Sequence, residues 1–185
     1  MRYNIALIPK SAAHYTPYSR AAQDNFGSHY RRYLLGRDSI PHITLCQFDD
    51  DGQFNGLEGR DKVQDLVGRL ELDFINHVYH PTFIGLNFLK HDFDDLFSVE
   101  LLVEREIRLT ELHHATMSLV TNLGFEVLNA HGVMYRPHLT LTCVEPPNFI
   151  HLPEFPLSLL GTSTFPFIVR LGEADDYWQY TQVLK

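Results

Sequence analysis

One five-residue phrase occurs twice: YRPHLTLTCV at 135–144 contains PHLTL, and PHITL stands at 41–45. In each copy a Pro precedes a His, a Thr follows the His two residues later, and a Leu ends the phrase. Successive side chains of a β-strand point to opposite faces, so each His shares a face with its Thr. Each copy therefore predicts a strand with one imidazole and one hydroxyl on one face and apolar residues on the other.

The repetition, and not the single pattern, carries the information. With 11 His and 11 Thr in 185 residues, an isolated His-x-Thr is expected about 0.7 times by chance. A third pattern, His80-Pro81-Thr82, matches that expectation, since it lacks the flanking Pro and Leu and Pro81 would interrupt a strand ladder. Two full copies are expected on the order of once in a million chains. The alternative, two unrelated hydrogen-bonded core histidines, is disfavoured for the pair.

The segments around the two phrases follow the same order. Apolar spacing predicts a strand, a helix and a strand in each half, at 3–9, 18–35 and 42–48 and again at 96–104, 109–123 and 137–144. Gly36 and Gly124 are placed as the helix stops. His42 and His138 lie 96 residues apart, about half the chain. We therefore expect a single domain over 1–185 with an internal duplication of a β-α-β unit near 1–48 and 96–144.

The remaining segments connect or follow these two units. The pattern predicts a further helix, an extended segment and a terminal strand pair, at 57–72, at 78–89 and on either side of 172–176. An acidic loop at 49–56 and a proline-rich irregular connection at 145–166 complete the expected organisation.

Composition excludes several classes of protein. Apolar residues make up 44% and charged residues 21%, which is ordinary for a globular domain. No apolar segment approaches the roughly 18 to 20 residues of a membrane span, and MRYNIALIPK is too short an apolar stretch for a signal peptide. We therefore expect a cytoplasmic protein without a membrane partner. The net charge of −8 argues against a long nucleic-acid track, which needs a basic face.

Cysteine and histidine spacing predicts neither a disulfide scaffold nor a metal site. Cys46 and Cys143 are the two cysteines, and they form no CxxC pattern. The His residues outside the repeated phrases lack carboxylate or Cys partners at ligand spacing. Cys46 shares the strand face of His42, but we interpret it as a small packed residue and not as a nucleophile.

The repeated residue types suit a phosphodiester. One His can take a proton from an attacking water or hydroxyl while the other protonates the leaving oxygen, because imidazole titrates near neutral pH. Two Thr hydroxyls can donate hydrogen bonds to the non-bridging oxygens, where negative charge develops. This chemistry requires no metal or cofactor. The candidate residues are His42, Thr44, His138 and Thr140.

PHITL at 41–45 and RPHLTL at 136–141 resemble the paired HxTx motifs of the 2H phosphoesterase superfamily. That superfamily includes 2′-5′ RNA ligase-like proteins and 2′,3′-cyclic nucleotide phosphodiesterases. The layout of the whole chain is also similar. The resemblance implies an α+β fold that is bilobal and pseudo-twofold, with antiparallel sheets lining a central groove and helices outside. It implies catalysis by His42 and His138, and phosphate binding by Thr44 and Thr140.

The implied activity is metal-independent hydrolysis of 2′,3′-cyclic phosphates on small nucleotides or on RNA 3′ ends, as in RNA processing. A monomer without a cofactor is expected. Two alternatives stay open: 2′-5′ phosphodiesterase or 2′-5′ RNA ligase chemistry, and a non-catalytic nucleotide-binding module.

Four further residues are candidates for substrate binding. Arg136 precedes the second phrase on the face of His138 and could pair with a phosphate, although a surface Arg at a strand end fits equally well. Phe48, on the alternating face of His42, and Tyr177 and Trp178 near the C-terminus could stack on a nucleobase. For these aromatic residues the alternative is ordinary strand packing.

Overall fold

The chain forms two antiparallel sheets and three α-helices in a computed structural model that describes residues 1–50, 56–74, 77–92, 94–145 and 155–184. The helices are α1 Thr16–Phe26, α2 Gly56–Phe74 and α3 Ile107–Asn122. The strands are β1 Arg2–Pro9, β2 Tyr30–Leu34, β3 Ile43–Asp49, β4 Thr82–Lys90, β5 Phe97–Val103, β6 His138–Val144, β7 Gly161–Thr162, β8 Phe167–Ala174 and β9 Tyr180–Val183.

Each sheet contains one of the two phrase strands. The first sheet has the order β3-β1-β8-β9 and the second β2-β6-β5-β4-β7, with antiparallel pairing throughout. In both sheets the phrase strand pairs with the opening strand of its own half, β3 with β1 and β6 with β5. The predicted α+β class with antiparallel sheets is therefore confirmed.

The helices connect the two halves. α1 precedes the first phrase but packs against β6, whereas α3 precedes the second phrase and packs against β3. α1 does so through a buried face formed by Tyr18, Ala21, Ala22 and Phe26. One apolar cluster contains side chains from both sheets and all three helices. This exchange of helices holds the two phrase strands in a defined relation to each other.

Contacts recur between the halves at the 96-residue offset. In the register of β1 with β3, Leu45 is skipped and has no partner residue on β1. In the register of β5 with β6, Leu141, 96 residues later, is skipped in the same way. Tyr33 lies opposite Cys143 in one sheet, and Asn129 contacts Gln47 in the other, where its Oδ1 accepts from the Gln47 backbone N–H at 2.7 Å. A duplication would produce such a recurrence, and it stays a prediction.

The first predicted helix, 18–35, is wrong in its second half. α1 ends at Phe26, and Tyr30–Leu34 forms β2 on the edge of the second sheet, beside β6. The aromatic spacing of YRRYL is compatible with either element, and pairing with β6 favours the strand. Gly36 consequently lies in a turn and stops no helix. Its φ is +83°, and a Cβ there would lie 2.4 Å from the Ser19 side chain.

The other predicted elements are largely confirmed. Gly124, with φ +87°, follows the end of α3. The helix at 57–72 and the strand at 96–104 are present as α2 and β5, and the terminal strand pair as β8 and β9. The extended segment 78–89 is β4 from Thr82, and the short strand β7 was not predicted.

Two predicted connections fall largely on residues outside the described ranges. These are 51–55 of the acidic loop and 146–154 of the proline-rich connection. The described helices include none with the length and apolarity to cross a membrane.

Candidate active site

The two repeated phrases meet at one cavity of about 310 Å³. His42 and Thr44 line it from the start of β3, and His138 and Thr140 line it from β6. The structure thus brings together the four residues that the sequence singles out. The chance pattern behaves differently, because His80 is exposed, its Nδ1 lies 2.9 Å from the Ser163 carbonyl oxygen, and it does not line this cavity.

His42 is a buried, neutral imidazole. Its Nδ1 donates a hydrogen bond to the Ile40 carbonyl at 2.8 Å, and its ring lies beside that of Tyr180, with 5.6 Å between centroids. Burial lowers the pKa of His42 to about 4, against the opposing effect of the Ile40 hydrogen bond, and the nearby charge of His138 lowers it further. With the proton on Nδ1, Nε2 carries the lone pair.

His138 has the same backbone contact but a different neighbour. Its Nδ1 donates to the Arg136 carbonyl at 2.8 Å, the equivalent of the His42 contact 96 residues earlier. Its Nε2 lies 3.5 Å from the Oε1 atom of Glu100, which is only 2% exposed. Glu100 also accepts hydrogen bonds from both terminal nitrogens of Arg136, and the distance from Arg136 Nη2 to Glu100 Oε1 is 3.1 Å. The second phrase therefore lies beside a buried carboxylate.

The equivalent position in the first half holds an amide. Asn4 lies 96 residues before Glu100, and its Nδ2 donates to Thr44 Oγ1 at 3.0 Å. Because this bond occupies an acceptor site of the hydroxyl, the hydroxyl proton of Thr44 is left to donate elsewhere. The two sides of the cavity therefore differ in charge although the phrases match. The sequence signal for Glu100 is the one Glu inside the apolar run FSVELLV at 97–103.

Two tyrosines fix the phrase strands from the opposite halves. Tyr135 donates its hydroxyl to the Thr44 carbonyl at 2.9 Å, and Tyr33 donates to the Thr140 carbonyl at 3.2 Å. The ring of Tyr135 also stacks on that of His113, with 3.8 Å between centroids and 2° between planes. His113 in turn contacts the Leu45 carbonyl through Nδ1 at 2.6 Å. These contacts hold the backbone of each Thr in place.

Phe48 is not a base-stacking residue, and that expectation is wrong. It is fully buried, stacks on Tyr3, packs against Phe125 with the ring planes tilted by 44°, and does not line the cavity. Strict alternation from His42 fails because the skipped Leu45 shifts the facing residues by one position. Gln47, which the sequence reasoning missed, lines the cavity instead.

The loop between β8 and β9 covers the cavity with aromatic side chains. Tyr177 and Trp178 both line it, and their contact with a substrate stays a prediction. The guanidinium of Arg32 lies 4.6 Å from the ring centroid of Tyr177, and that of Arg2 lies 5.2 Å from the ring of Trp178. Trp178 adopts φ 62°, a strained value for a bulky residue. Strain of this kind is found preferentially where a loop serves a site.

Asp175 holds this loop in shape. Its Oδ1 accepts the backbone N–H of Tyr177 at 2.8 Å and that of Gln179 at 2.9 Å. The Asp175 carbonyl accepts the Trp178 N–H at 3.0 Å. The aromatic residues are therefore presented by a turn with its own hydrogen bonds.

Among the described residues, no Cys lines this cavity and no cluster of metal-ligating side chains is present. Burial raises the pKa of the Cys46 thiol to about 12, and Cys46 does not line the cavity, so it is a packed residue. Within the described ranges there is no group of three or more His, Cys, Asp or Glu residues that could hold a metal ion.

Comparison with solved structures identifies the fold. A crystal structure of a phosphoesterase superimposes with a TM-score of 0.55 at 14% identity, over 100% of this chain and 95% of that chain. The chain has the fold of that phosphoesterase. The α+β architecture with antiparallel sheets, which the resemblance implies, is therefore confirmed. No protein-family model matches the sequence, and no curated protein matches it significantly.

Two further solved structures align with the chain at lower TM-scores. The MHV ns2 PDE domain gives a TM-score of 0.49 at 14% identity, over 92% of this chain and 98% of that chain. Kluyveromyces marxianus Usb1 with uridine monophosphate gives 0.46 at 8% identity, over 83% of this chain and 74% of that chain.

Proposed function

We propose that this protein is a metal-independent phosphodiesterase that hydrolyses 2′,3′-cyclic phosphates of small nucleotides or RNA 3′ ends. The observation that carries the proposal is the shared cavity, lined by two imidazoles and two Thr hydroxyls from strands of different sheets. Phosphodiester hydrolysis needs a base for the incoming water, an acid for the leaving oxygen and donors for the phosphate oxygens. The four side chains provide each of these groups.

The different surroundings of the two imidazoles support different roles. His42 is neutral at pH 7 because burial lowers its pKa to about 4, and its Nε2 can accept the proton of an attacking water. His138 lies beside the buried carboxylate of Glu100, which supplies the negative charge that a protonated imidazole pairs with. We therefore assign His42 as the general base and His138 as the general acid.

The reaction then balances in one displacement. Water attacks phosphorus as His42 takes its proton, the bond from phosphorus to one ribose oxygen breaks, and His138 gives that oxygen a proton. Thr44 and Thr140 donate hydrogen bonds to the non-bridging oxygens, where charge increases in the transition state. The product is a nucleoside monophosphate, and a proton passing from His42 to His138 through solvent restores the starting state.

Charge and size favour a small substrate or a chain end. The net charge of −8 gives no general attraction for long nucleic acid. The cavity of about 310 Å³ suits a single nucleotide. Tyr177 and Trp178 offer aromatic faces for its base, and Arg136 lines the same cavity as a cation near the phosphate position, although its two terminal nitrogens already pair with Glu100.

The proposal is tested by turnover of 2′,3′-cyclic nucleotides in the presence of EDTA. We expect His42→Ala and His138→Ala each to lower kcat by about 10² to 10⁴-fold, the range for a lost acid or base. His80→Ala is the matched control, because it removes the His of the third His-x-Thr pattern, outside the cavity, and should leave kcat unchanged. Full activity of either cavity variant would contradict the proposal.

The same assay separates the two alternatives. A panel should contain 2′,3′-cyclic nucleotides beside 2′-5′ and 3′-5′ dinucleotides. Turnover of 2′-5′ dinucleotides alone would assign the same residues to 2′-5′ phosphodiester chemistry. Nucleotide binding without any turnover would identify a non-catalytic module.

A further inference from the structure

A second cavity of about 330 Å³ continues from the catalytic cavity. The two share Ser98, Thr140, Tyr177, Trp178 and Gln179 in their linings. Ser98 lies two residues from Glu100 on β5, a rise of roughly 7 Å along the strand. A group bound at Ser98 would therefore be separated from the proposed phosphate position between the histidines by about the length of one sugar ring.

Ser98 is held by a hydrogen-bonded chain. Its Oγ lies 2.7 Å from His91 Nε2, and His91 Nδ1 lies 3.1 Å from the Oδ1 atom of Asp94. An ionised carboxylate can only accept, so Nδ1 of His91 carries a proton. In the neutral ring, Nε2 then accepts from the Ser98 hydroxyl. With its hydroxyl proton directed at His91, Ser98 presents only lone pairs to the cavity.

The rest of the lining suits a flat, uncharged ring. Tyr177 forms one wall, with the Arg32 guanidinium 4.6 Å from its ring centroid, and Arg32 is itself paired with Asp94 at 2.8 Å. Asp176 also lines the cavity. The charge of Arg32 is thus balanced by Asp94, which disfavours a second phosphate here. An aromatic wall beside a hydrogen-bond acceptor is instead the arrangement that recognises a nucleobase.

We propose that this second cavity binds the base of the substrate and that Ser98 selects bases carrying an exocyclic amino group. The Ser98 oxygen accepts a hydrogen bond from the amino group of cytosine or adenine, while the oxo group of uracil or hypoxanthine would place two acceptors together. The inference rests on the proposed function and specifies its substrate class. The position 96 residues before Ser98 holds Arg2.

The test compares substrates that differ in that one group. Cytidine and uridine 2′,3′-cyclic phosphates form one pair, and the adenosine and inosine compounds form another. We expect the wild-type kcat/KM to favour the amino member by about tenfold or more, because the oxo member would place its own acceptor against the half-buried Ser98 oxygen with no donor between them. In Ser98→Ala the preference should fall to about one. Ser118→Ala, on an exposed helix position, is the matched control and should keep the wild-type ratio.

Asp94→Asn tests the direction of the hydrogen-bonded chain. An amide can donate to Nδ1 of His91, which allows the proton to move to Nε2 and frees the Ser98 hydroxyl to donate to the ligand. We expect this variant to shift the ratio towards the oxo members. An unchanged ratio in both Ser98→Ala and Asp94→Asn, or equal wild-type use of both members of each pair, would overturn the inference.

Binding provides a readout that does not depend on turnover. Trp178 is the only Trp of the chain and lines both cavities, so its fluorescence reports ligand there. Cytidine 3′-monophosphate should bind more tightly than uridine 3′-monophosphate, and Ser98→Ala should abolish the difference. If no cyclic phosphate is hydrolysed but this difference is present, the proposed function fails and the base site stands. If cyclic phosphates are hydrolysed without any base preference, the base site fails and the proposed function stands.

Discussion

At the residue scale, the two copies of the phrase differ less in themselves than in what lies beside them. His42 is buried next to Tyr180, whereas His138 lies next to Glu100 and Arg136. Asn4 lies on the neutral side, and Glu100, 96 residues later in the chain, lies on the charged side. An acid and a base need this difference, because two identical imidazoles would compete for the same role.

The proposed role of His42 as general base predicts the acid side of the pH profile. Because burial lowers that pKa to about 4, the base form persists in the free enzyme well below the ordinary value of about 6.5. We expect kcat/KM for a cyclic nucleotide to fall on acidification only near pH 4, while circular dichroism shows the protein still folded. An acid limb centred near pH 6.5 would argue against His42 as the base.

Glu100 is predicted to be a positioning residue for His138. In Glu100→Gln the negative charge is lost, and Arg136 is left as an unbalanced cation near the imidazole. We expect kcat to fall about ten- to a hundredfold with KM changed much less, since the acid acts in the transition state. Glu100→Asp should recover part of kcat. A raised KM and a lower free energy of unfolding with unchanged kcat would indicate a purely structural role.

At the scale of the elements, two bulges and one hairpin determine which side chains reach the cavity. The skipped residues Leu45 and Leu141 shift the faces of β3 and β6, so that Gln47 reaches the catalytic cavity and Cys143 reaches the second one. The β8–β9 hairpin adds the loop that carries Tyr177 and Trp178. Bulges are common beside active sites because they redirect a side chain without ending the sheet.

Gly172 on β8 links the hairpin to His42. A Cβ at this position would lie 2.3 Å from the Tyr180 ring, which packs beside His42. We expect Gly172→Ala to lower the free energy of unfolding by about 1 to 3 kcal/mol through overpacking, and also to lower turnover by displacing Tyr180. Urea denaturation and cyclic nucleotide hydrolysis measure the two effects.

Gly85 on β4 is the matched control for this substitution. A Cβ there would meet no atom within 4 Å, and β4 lies away from the catalytic cavity. Gly85→Ala should leave turnover unchanged and should not destabilise the protein. Equal behaviour of the two Ala variants would show that the close approach of Tyr180 to Gly172 has no consequence.

At the scale of the whole molecule, exchange of helices between halves explains how the two strands form one site. α1 packs against β6 and α3 against β3, and Tyr33 and Tyr135 reach across to the opposite phrase strand. A single core includes both sheets. The spacing of the catalytic groups therefore depends on folding of the entire chain, and neither half alone contains the site.

Global stability should depend on pH through buried neutral histidines. The pKa of His42 is about 4 in the folded state and near 6.5 in the unfolded chain, and burial also lowers the pKa of His113. Between these pH values the unfolded chain binds protons that the folded chain does not. The contribution of these histidines to the free energy of unfolding is therefore fully present above about pH 6.5 and is lost as the pH decreases towards 4.

Urea denaturation at pH 5 and pH 7 measures this effect in a range where exposed carboxylates stay ionised. We expect the wild type to be less stable at pH 5, and His42→Gln to lose less on acidification because one of the two groups is gone. Equal losses in the two proteins would show that His42 does not contribute to the pH dependence.

The amino-acid sequence by itself determined the repeated phrase, the strand faces within it and the pairing of His and Thr. It also determined most of the element order, because alternation and helical periodicity are local properties of the chain. These local properties were the basis for proposing His42, Thr44, His138 and Thr140 as site residues and for leaving His80 out.

Only the tertiary structure decided the rest. It turned Tyr30–Leu34 into a strand, placed Phe48 in the core, and brought Glu100 and Arg136 to His138. It also joined Ser98 to His91 and Asp94 beside the catalytic cavity. Strand register, bulges and the burial of charge arise from contacts between distant segments, and no local pattern contains them.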